Sequence, residues 1–551
     1  METNEHRNAG NKIRIMTLGN PYLEGSEGLS ESDNNNLHVR MMRLVNGIPV
    51  PLEFALEAGD IVALAGDYYT KEGWGLDLQL PPLTGHVKKD NKALFNLPVS
   101  PKETDVYLQA YGDLASPTLR EADIQQIYAI EERTYIPFFP ALNNIFQQLV
   151  YAFRVNGYNK KLTLNEAHFA PWSTRAYMVG HTEALHSTEL AYAFKLLAAE
   201  GDLSEIEPGI LSEAGRVAEA IGQNPTAYGY NDSLLDNKTL YNELYYRYHA
   251  LAVGQDLFTM HFYSDHFAGG HLSRIGLLRQ IMPAQFGNWG SILINNMHNE
   301  DNTFGLNVLN PFQPKGYKHY GADTVFGVNP SQDQAYGDGT YFERSNDEDS
   351  NQLINGMDNS LGDITRRLLG GKKPQPSQYG GLAFLPEVNY KESQPQPLLI
   401  HGVDGKVYYR ADISRVDVLS AEQYTLTRQD PANHGYKELG YFSAIWLVAK
   451  LRLLSFIYSP KLEQPTPKNT AVVTSPLQEE AARSVMDHLI TTTVNPVASS
   501  PEPVEEQTSV GAWRENLPLS SGLIQTCRFM PQPGISALNT QQPSPEGVLG
   551  L

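Results

Sequence analysis

The densest group of potential metal ligands in the chain is the segment HFYSDHFAGGH, which begins at His261. His261 and Asp265 are four residues apart, so on a helix their imidazole and carboxylate lie one turn apart on the same face. The pair Gly269-Gly270 allows the backbone to turn and to bring His271 back to that side. Nitrogen and oxygen ligands of this kind suit zinc. The segment predicts a metal site, and the plainer alternative is a His–Asp surface pair near a helix end.

Two histidines nearer the N-terminus extend the set of candidate ligands. We predict that His168 lies in a loop before Pro171 and that His181 lies in the helix that follows. His181 and His186 are five residues apart, which is a poor spacing for one helix face, so at most one of them points inward. Taken alone, His181 is more simply explained as a buried, hydrogen-bonded histidine.

Carboxylates complete the set of candidates. His298 is followed by Glu300 and Asp301, and Asp67 stands directly after the apolar run of residues 61–65. A carboxylate at a metal can orient a water molecule or accept its proton, so Asp67 and Asp301 are the candidate catalytic residues. The plainer alternatives are a polar turn around His298 and a turn or helix cap at Asp67.

Helices must position most of these side chains. Residues 175–200 lack proline and are rich in Ala, Leu, Glu and Tyr, and residues 239–266 show leucines and phenylalanines at helical spacings. A shorter helix is predicted over residues 272–281, with Pro283 ending it. Long helices with irregular connections predict a mainly α fold, with a mainly helical catalytic domain.

The composition of the chain changes along its length. Of the last 92 residues 12 are proline, against 23 in the preceding 459, and this tail lacks the apolar residues that a core requires. Between the catalytic region and the tail, Asp404-Gly405 predicts a hairpin turn. Four regions result: a polar N-terminal segment (1–50), the helical metal-dependent domain (51–345), a mixed α/β continuation (346–459) and a largely disordered tail (460–551).

Charge and composition limit the possible partners. The 551 residues carry a net charge of −20, which argues against a nucleic-acid partner. Cys527 is the only cysteine, so neither an internal disulfide nor a cysteine-based zinc site can form. Residues 1–14 have no apolar run of signal-peptide length. The apolar stretch 441–458 contains Lys450 and Arg452, so we expect a core helix there and a soluble protein.

Taken in order, these motifs resemble the zinc-dependent phospholipase C family of the Legionella and Pseudomonas fluorescens type, most closely its Legionella effector branch. The residues that carry the resemblance are Gly66-Asp67, Ala167-His168-Phe169, Gly180-His181, His261-x3-Asp265-x5-His271, Met297-His298-x2-Asp301, Gly305-Leu306 and Ala335-Tyr336-Gly337-Asp338-Gly339. The resemblance implies a helical, multi-zinc phospholipase-like catalytic domain, zinc as cofactor, and the hydrolysis of phosphatidylcholine-type lipids to diacylglycerol and a phosphorylated head group. The candidate ligands suffice for two or three zinc ions; they are Asp67, His168, His181, His261, Asp265, His271, His298 and Asp301.

The chain departs from this family in two respects. His266 directly follows Asp265, where a small or apolar residue is expected, so either His266 or His271 can be the third ligand of the segment. The chain also lacks the signal peptide of many relatives and adds the long tail. We therefore expect export into a host cell by a secretion system that reads the tail, which can also bind a host partner.

Two tyrosine pairs are candidates for binding the lipid head group, and two other functions are compatible with the same residues. Tyr68-Tyr69 and Tyr245-Tyr246 offer aromatic faces for a choline at the membrane surface. A zinc nuclease or phosphomonoesterase with the same metal cluster is the alternative enzyme. A further alternative is a non-catalytic interaction protein, whose histidines serve packing and whose Pro-rich tail docks a partner.

Overall fold

A computed structural model describes residues 3–25, 36–65, 92–137, 166–230, 236–309, 347–454 and 461–463, with isolated positions at 143, 146, 147, 150, 334, 335 and 337. All of these residues belong to the same compact unit. Asp67, Tyr68-Tyr69 and nearly all of the predicted tail lie outside the described residues. The predictions made for them therefore stay predictions.

Helices make up most of the described structure. In chain order they are α1 (Thr3–Asn11), α2 (Ala58–Leu64), α3 (Pro101–Leu114), α4 (Glu121–Glu132), α5 (Trp172–Ala198), α6 (Pro208–Gln223), α7 (Asn237–Asp265), α8 (Ser273–Phe286), α9 (Asn288–Phe304), α10 (Asp347–Leu368), α11 (Ala421–Gln429) and α12 (Tyr441–Leu454). The prediction that the fold is mainly helical is confirmed.

The strands are short and form small sheets. In chain order they are β1 (Leu23–Glu24), β2 (His38–Val45), β3 (Ile48–Glu57), β4 (Leu306–Leu309), β5 (Gln334–Ala335), β6 (Glu387–Val388), β7 (Gln394–Pro395), β8 (Leu399–His401), β9 (Val407–Arg410), β10 (Arg415–Leu419), β11 (Tyr436–Glu438) and β12 (Lys461–Glu463). The strand orders are β1-β2-β3, β5-β4-β6, β12-β10-β7 and β11-β9-β8. The pairs are antiparallel except β10 with β12.

The centre of the fold is the packed pair α5 and α7, which matches the helices predicted over residues 175–200 and 239–266. Gly180 on α5 lets the two helices approach closely, because a Cβ there would lie 2.5 Å from Thr259 Oγ1 on α7. The second half of α7 is buried on every side, since α1, α2, α5 and α10 all pack around it. Side chains on this helix are therefore shielded from solvent.

The predicted end of the helix at Pro283 is wrong. Helix α8 continues through Pro283 to Phe286 and ends at Gly287, whose φ of +58° suits glycine. Proline removes a hydrogen bond from the helix interior, at a cost of about 3 kcal/mol. The buried side chains of Met282 and Phe286, together with close packing against α9, offset this cost.

The N-terminal segment, which the sequence describes only as polar, contains a helix and a hairpin. Helix α1 packs on α2, and their backbones meet where a Cβ at Gly10 would lie 2.6 Å from Gly59 Cα. The hairpin β2–β3 turns at Asn46-Gly47, with φ values of +51° and +78°. The polar composition of α1 does not indicate exposure, because several of its polar side chains are buried.

Past residue 346 the structure mixes helices and strands. The predicted hairpin is confirmed as β8–β9, with Gly405 at φ +79° in its turn. Strand β12 pairs with β10, and its three residues lie at the start of the region predicted as tail, residues 460–551. Helix α12 packs on α8 and α9, so the expected helix forms, although its outer side is exposed. No helix of the described chain is long and apolar enough to span a bilayer.

Candidate metal centre

The last turn of α7 places His261 and Asp265 on one face, as their spacing predicts. Two short 3-10 turns bring further imidazoles to this point: Glu166–His168 ends in His168, and Gly269–His271 ends in His271. Helix α1 adds His6, which is buried. We call these histidines and the carboxylate that they surround the Asp265 cluster.

The carboxylate of Asp265 is the centre of the cluster. Its distances to the surrounding ring nitrogens are 3.3 Å to His6 Nε2, 2.5 Å to His168 Nδ1, 3.6 Å to His261 Nε2 and 3.4 Å to His271 Nδ1. Ligand atoms of His6, His261 and Asp265 all lie within 4.8 Å of one another. Such a set of nitrogen and oxygen atoms can converge on one cation.

Backbone and hydroxyl groups orient the rings of His261 and His6. His261 Nδ1 donates to the carbonyl of Val62 at 2.8 Å, and His6 Nδ1 donates to Ser264 Oγ at 2.8 Å. The Ser264 hydroxyl itself donates to the carbonyls of Met260 and His261, so it can only accept from His6. Both rings therefore turn the lone pair of Nε2 towards Asp265.

Lone pairs that face a carboxylate repel it unless a cation lies between them. A ligating histidine usually donates its second ring nitrogen to a carbonyl or other acceptor, which is the arrangement of His261 and His6. The buried donor set of His6, His261 and Asp265 could therefore hold a metal ion.

His168 and His271 are connected to each other by the backbone. His271 Nδ1 donates to the carbonyl of His168 at 2.9 Å, and the amide of Ala170 donates to the carbonyl of His271 at 2.9 Å. Phe169 stacks on the His271 ring with centroids 4.8 Å apart. Burial holds the pKa of His271 well below its usual range, although the charge of Asp265 acts in the opposite direction.

The charge state of Asp265 is set by its neighbours. Burial alone would raise its pKa, but His271, His6 and His168 together hold the pKa of Asp265 well below its usual range. The group is therefore an ionised carboxylate in a buried site. Such a charge requires a cationic partner, which again favours a metal or protonated imidazoles.

Of the two histidines His266 and His271, His271 has a ring nitrogen beside Asp265, whereas the His266 ring is held elsewhere. The His266 ring lies between Ser173 Oγ, 2.8 Å from Nδ1, and the carbonyl of Pro386, 2.9 Å from Nε2. Burial lowers the pKa of His266 to about 4, so this histidine is neutral and hydrogen-bonded on both sides. It serves packing between α7 and the segment before β6.

The Gly-Gly turn has the role that the sequence suggested. A Cβ at Gly270 would lie 2.6 Å from His298 Cδ2, so only glycine lets α9 approach the turn this closely. His298 is half-buried, and its ring lies 4.7 Å from that of His271. Asn302 Nδ2 lies 3.2 Å from His298 Nε2. His298 therefore borders the cluster next to His271.

His181 belongs to a different cluster. Its Nδ1 lies 2.8 Å from Asp256 Oδ1 and its Nε2 lies 3.2 Å from Asp363 Oδ2, with Ser360 Oγ 3.0 Å from Nδ1. We call these residues the His181 cluster. Burial opposes the charge, but the two carboxylates outweigh it and raise the pKa of His181 to about 9. The structure does not bring His181 to Asp265, and a proton satisfies it.

Asp301 is engaged by an arginine. Arg274 donates from Nε to Asp301 Oδ2 at 2.7 Å and from Nη2 to Asp301 Oδ1. Glu300 is held in the same way by Arg410, with both distances near 3 Å, at 3.0 and 2.9 Å. Burial raises the pKa of Asp301 despite Arg274. Both oxygens of the predicted catalytic carboxylate are therefore occupied by an ion pair.

The tyrosine pair Tyr245-Tyr246 is too far away to bind a head group at the cluster. It precedes Asp265 by 20 residues on the same helix, which is about 30 Å at the rise of an α-helix. Tyr245 is buried beside Tyr246 and His249. The proposed aromatic contact with choline is not available from this pair.

Sequence reasoning missed His6. The residue lies in a segment described only as polar, and its partner Ser264 is 258 residues away along the chain. The small residues Ala9 and Gly10, which allow α1 to pack closely, were the available signal. A histidine three to four residues before such a pair lies on the buried face of a helix.

Comparison with known proteins gives no relative of this chain. Neither protein-family models, nor curated proteins, nor solved structures match it. The function is accordingly inferred from the Asp265 cluster and from the resemblance of the motifs.

Proposed function

We propose that the protein is a zinc-dependent phospholipase C that hydrolyses phosphatidylcholine-type glycerophospholipids to diacylglycerol and a phosphorylated head group. The observation that carries the proposal is the Asp265 cluster, in which oriented imidazoles surround a buried, ionised carboxylate. The ordered motifs of the sequence supply the choice of reaction.

His6, His261 and Asp265 would hold one ion, with His168 and His271 completing the surroundings of the carboxylate. A bound zinc ion lowers the pKa of water and neutralises charge on phosphoryl oxygens. The number of ions is part of the proposal: His271 and His298 together offer nitrogens for a second ion. Asp67 remains a candidate ligand and base outside the described residues.

The residues of the chain orient and shield this centre. Val62 and Ser264 hold the His261 and His6 rings with Nε2 towards Asp265. The ring of Phe169 covers one face of His271 and keeps water from it. Asp265 accepts a hydrogen bond from His168, which holds the turn before α5 against the end of α7.

The substrate is chosen by charge. A chain with a net charge of −20 repels a polyanion such as DNA and tolerates a zwitterionic head group. This favours a lipid over a nucleic acid as the phosphodiester. It also distinguishes the proposal from a nuclease with the same metal ligands.

Metal analysis and paired substrates test the proposal. We expect the purified protein to contain zinc and to release phosphocholine from phosphatidylcholine faster than it cleaves single-stranded DNA. A protein without zinc and without hydrolysis of either substrate would be a non-catalytic interaction protein. Faster cleavage of DNA, or of a phosphomonoester, would assign one of the alternative enzymes.

The resemblance also leads us to propose export into a host cell through the tail. The tail is rich in proline, serine and threonine and suits recognition by a secretion system or a host partner. A delivery assay with a reporter fused to the full chain and to a chain without residues 464–551 tests this. Equal delivery of both would exclude the tail as the signal.

A further inference from the structure

The outer face of α12 carries large aromatic side chains in water. Phe442 is 86 % exposed, Trp446 is 68 % exposed and Tyr441 is 53 % exposed. Phe442 and Trp446 are four residues apart and share one face of the helix. The opposite face is buried against α8 and α9 through Ala444, Leu447 and Val448, so the helix cannot turn its aromatic residues inward.

The turn of the β8–β9 hairpin adds a further apolar group at the same end of the sheet. Val403, in that turn, is 71 % exposed. The register places Glu438 opposite Tyr408, and the amide of Leu439 donates to the carbonyl of Val407 at 2.8 Å. The chain therefore runs from β11 towards the hairpin turn before it enters α12. We call Val403, Tyr441, Phe442 and Trp446 the aromatic edge.

The charges of α12 differ from those of the chain. The helix has the sequence YFSAIWLVAKLRLL, with Lys450 and Arg452 and no acidic residue, whereas the whole chain carries −20. Lys450 is exposed and follows Trp446 by four residues on the same face. The helix is apolar on its outer face as well as on its buried face, and aromatic rings beside a lysine suit the interface of a bilayer. Lipid phosphates complement the positive charge of this helix. A second copy of the chain is a poorer partner, because two molecules with a net charge of −20 repel each other.

We propose that the aromatic edge docks the protein on a phosphatidylcholine bilayer, with Phe442 and Trp446 inserted among the head groups. Helix α12 packs directly on α9, and α9 carries His298. A bilayer docked on α12 is therefore separated from α9 by a single helix. Binding to the bilayer does not depend on the proposed phospholipase activity; only a gain in rate on vesicles rests on it.

Flotation of the full-length protein with phosphatidylcholine vesicles, with and without phosphatidylserine, tests the docking. We expect the double variant Phe442→Ser/Trp446→Ser to bind vesicles at least about tenfold more weakly, since each aromatic ring buries a large apolar area. The variant Phe442→Trp/Trp446→Phe should bind as the wild type does. Leu369→Ser, which removes a half-exposed apolar side chain after α10, should also leave binding unchanged.

Three outcomes overturn the docking. They are unchanged vesicle binding by the double serine variant, an equal loss in Leu369→Ser, and a wild-type dimer that the double variant converts to monomer without loss of lipid binding. Hydrolysis of a short-chain phosphatidylcholine in its monomeric form separates the two proposals. If the double variant hydrolyses it normally and fails on vesicles, both stand; if neither protein hydrolyses it, the phospholipase assignment fails and the flotation result is unaffected.

Discussion

Two buried clusters in the same helical core combine imidazoles and carboxylates in opposite proportions. Within the described residues, the Asp265 cluster gathers four imidazoles around one carboxylate, whereas the His181 cluster places one imidazole between two carboxylates. A proton on His181 balances its neighbours, and its pKa is raised to about 9 accordingly. The group of His6, His261 and Asp265 in the first cluster could hold a metal ion, whereas the second cluster is an ion pair.

The difference shows that burial and histidine content alone do not mark a metal site. Both clusters lie along α7, and both were candidates from the sequence. What separates them is the partner of the second ring nitrogen: a carbonyl or hydroxyl in the Asp265 cluster, a second carboxylate in the His181 cluster. Second-site partners of this kind set whether a ring donates a lone pair or a proton.

The strongest test compares His261 with His266, which are both buried near the end of α7. We expect His261→Ala to abolish phospholipase activity and to weaken zinc binding by more than about a hundredfold, because a ligand is lost. His266→Ala should retain zinc and activity with a lower thermal midpoint. Metal analysis and hydrolysis of phosphatidylcholine measure both. Full activity of a folded, metal-stripped sample would contradict the metal assignment.

The next test addresses the charge of His181. Its folded pKa of about 9 exceeds the unfolded value of 6.5, so its stabilisation is complete below pH 6.5 and is lost as the pH rises through 9. The free energy of unfolding should fall by about 3 kcal/mol over this window. In the variant His181→Gln/Asp256→Asn this decrease should be absent, as denaturant titrations at several pH values can show. An equal decrease in the variant would assign it to other groups.

A smaller effect is expected from the hydroxyl that orients His6. Ser264→Ala removes the acceptor of His6 Nδ1, so the ring can change its tautomer and turn its lone pair away. We expect zinc affinity to fall by about tenfold, in the range of such supporting partners. Ser360→Ala, which removes the corresponding hydroxyl beside His181, is the matched control and should leave zinc affinity unchanged. Equal affinities in both variants would remove His6 from the metal site.

The smallest effect is expected from removal of the tail. Both clusters precede the end of α12, and β12 completes the sheet that it shares with β10. A chain that ends after Glu463 should bind zinc and show the pH dependence of His181 as the full chain does. A chain that ends after Ser459 lacks β12 and should have a lower thermal midpoint. If both chains are equally stable, β12 contributes nothing to stability, and the folded domain ends near Ser459, as the composition predicts.

Local patterns determined much of the fold and part of the site. The absence of proline and the helical spacing of apolar residues gave α5 and α7, and Asp404-Gly405 gave the β8–β9 hairpin. The four-residue spacing of His261 and Asp265 placed both side chains on one face. Each of these features depends on neighbours within one or two turns, which is the range over which sequence spacing acts.

Tertiary packing decided the remainder. His6 lies in the Asp265 cluster through its contact with Ser264, 258 positions away along the chain. His181 lies in a different cluster, where its partner Asp363 on α10 is 182 positions further along the chain. His266 and His271 are distinguished by their partners. Ser173 and Pro386 bind both ring nitrogens of His266, whereas the His271 ring lies beside Asp265. Sequence spacing sets which side chains share a helix face, whereas the carbonyls, hydroxyls and carboxylates that orient a buried ring come from distant segments. For that reason the residues of the metal centre could be proposed from the sequence, and their selection required the fold.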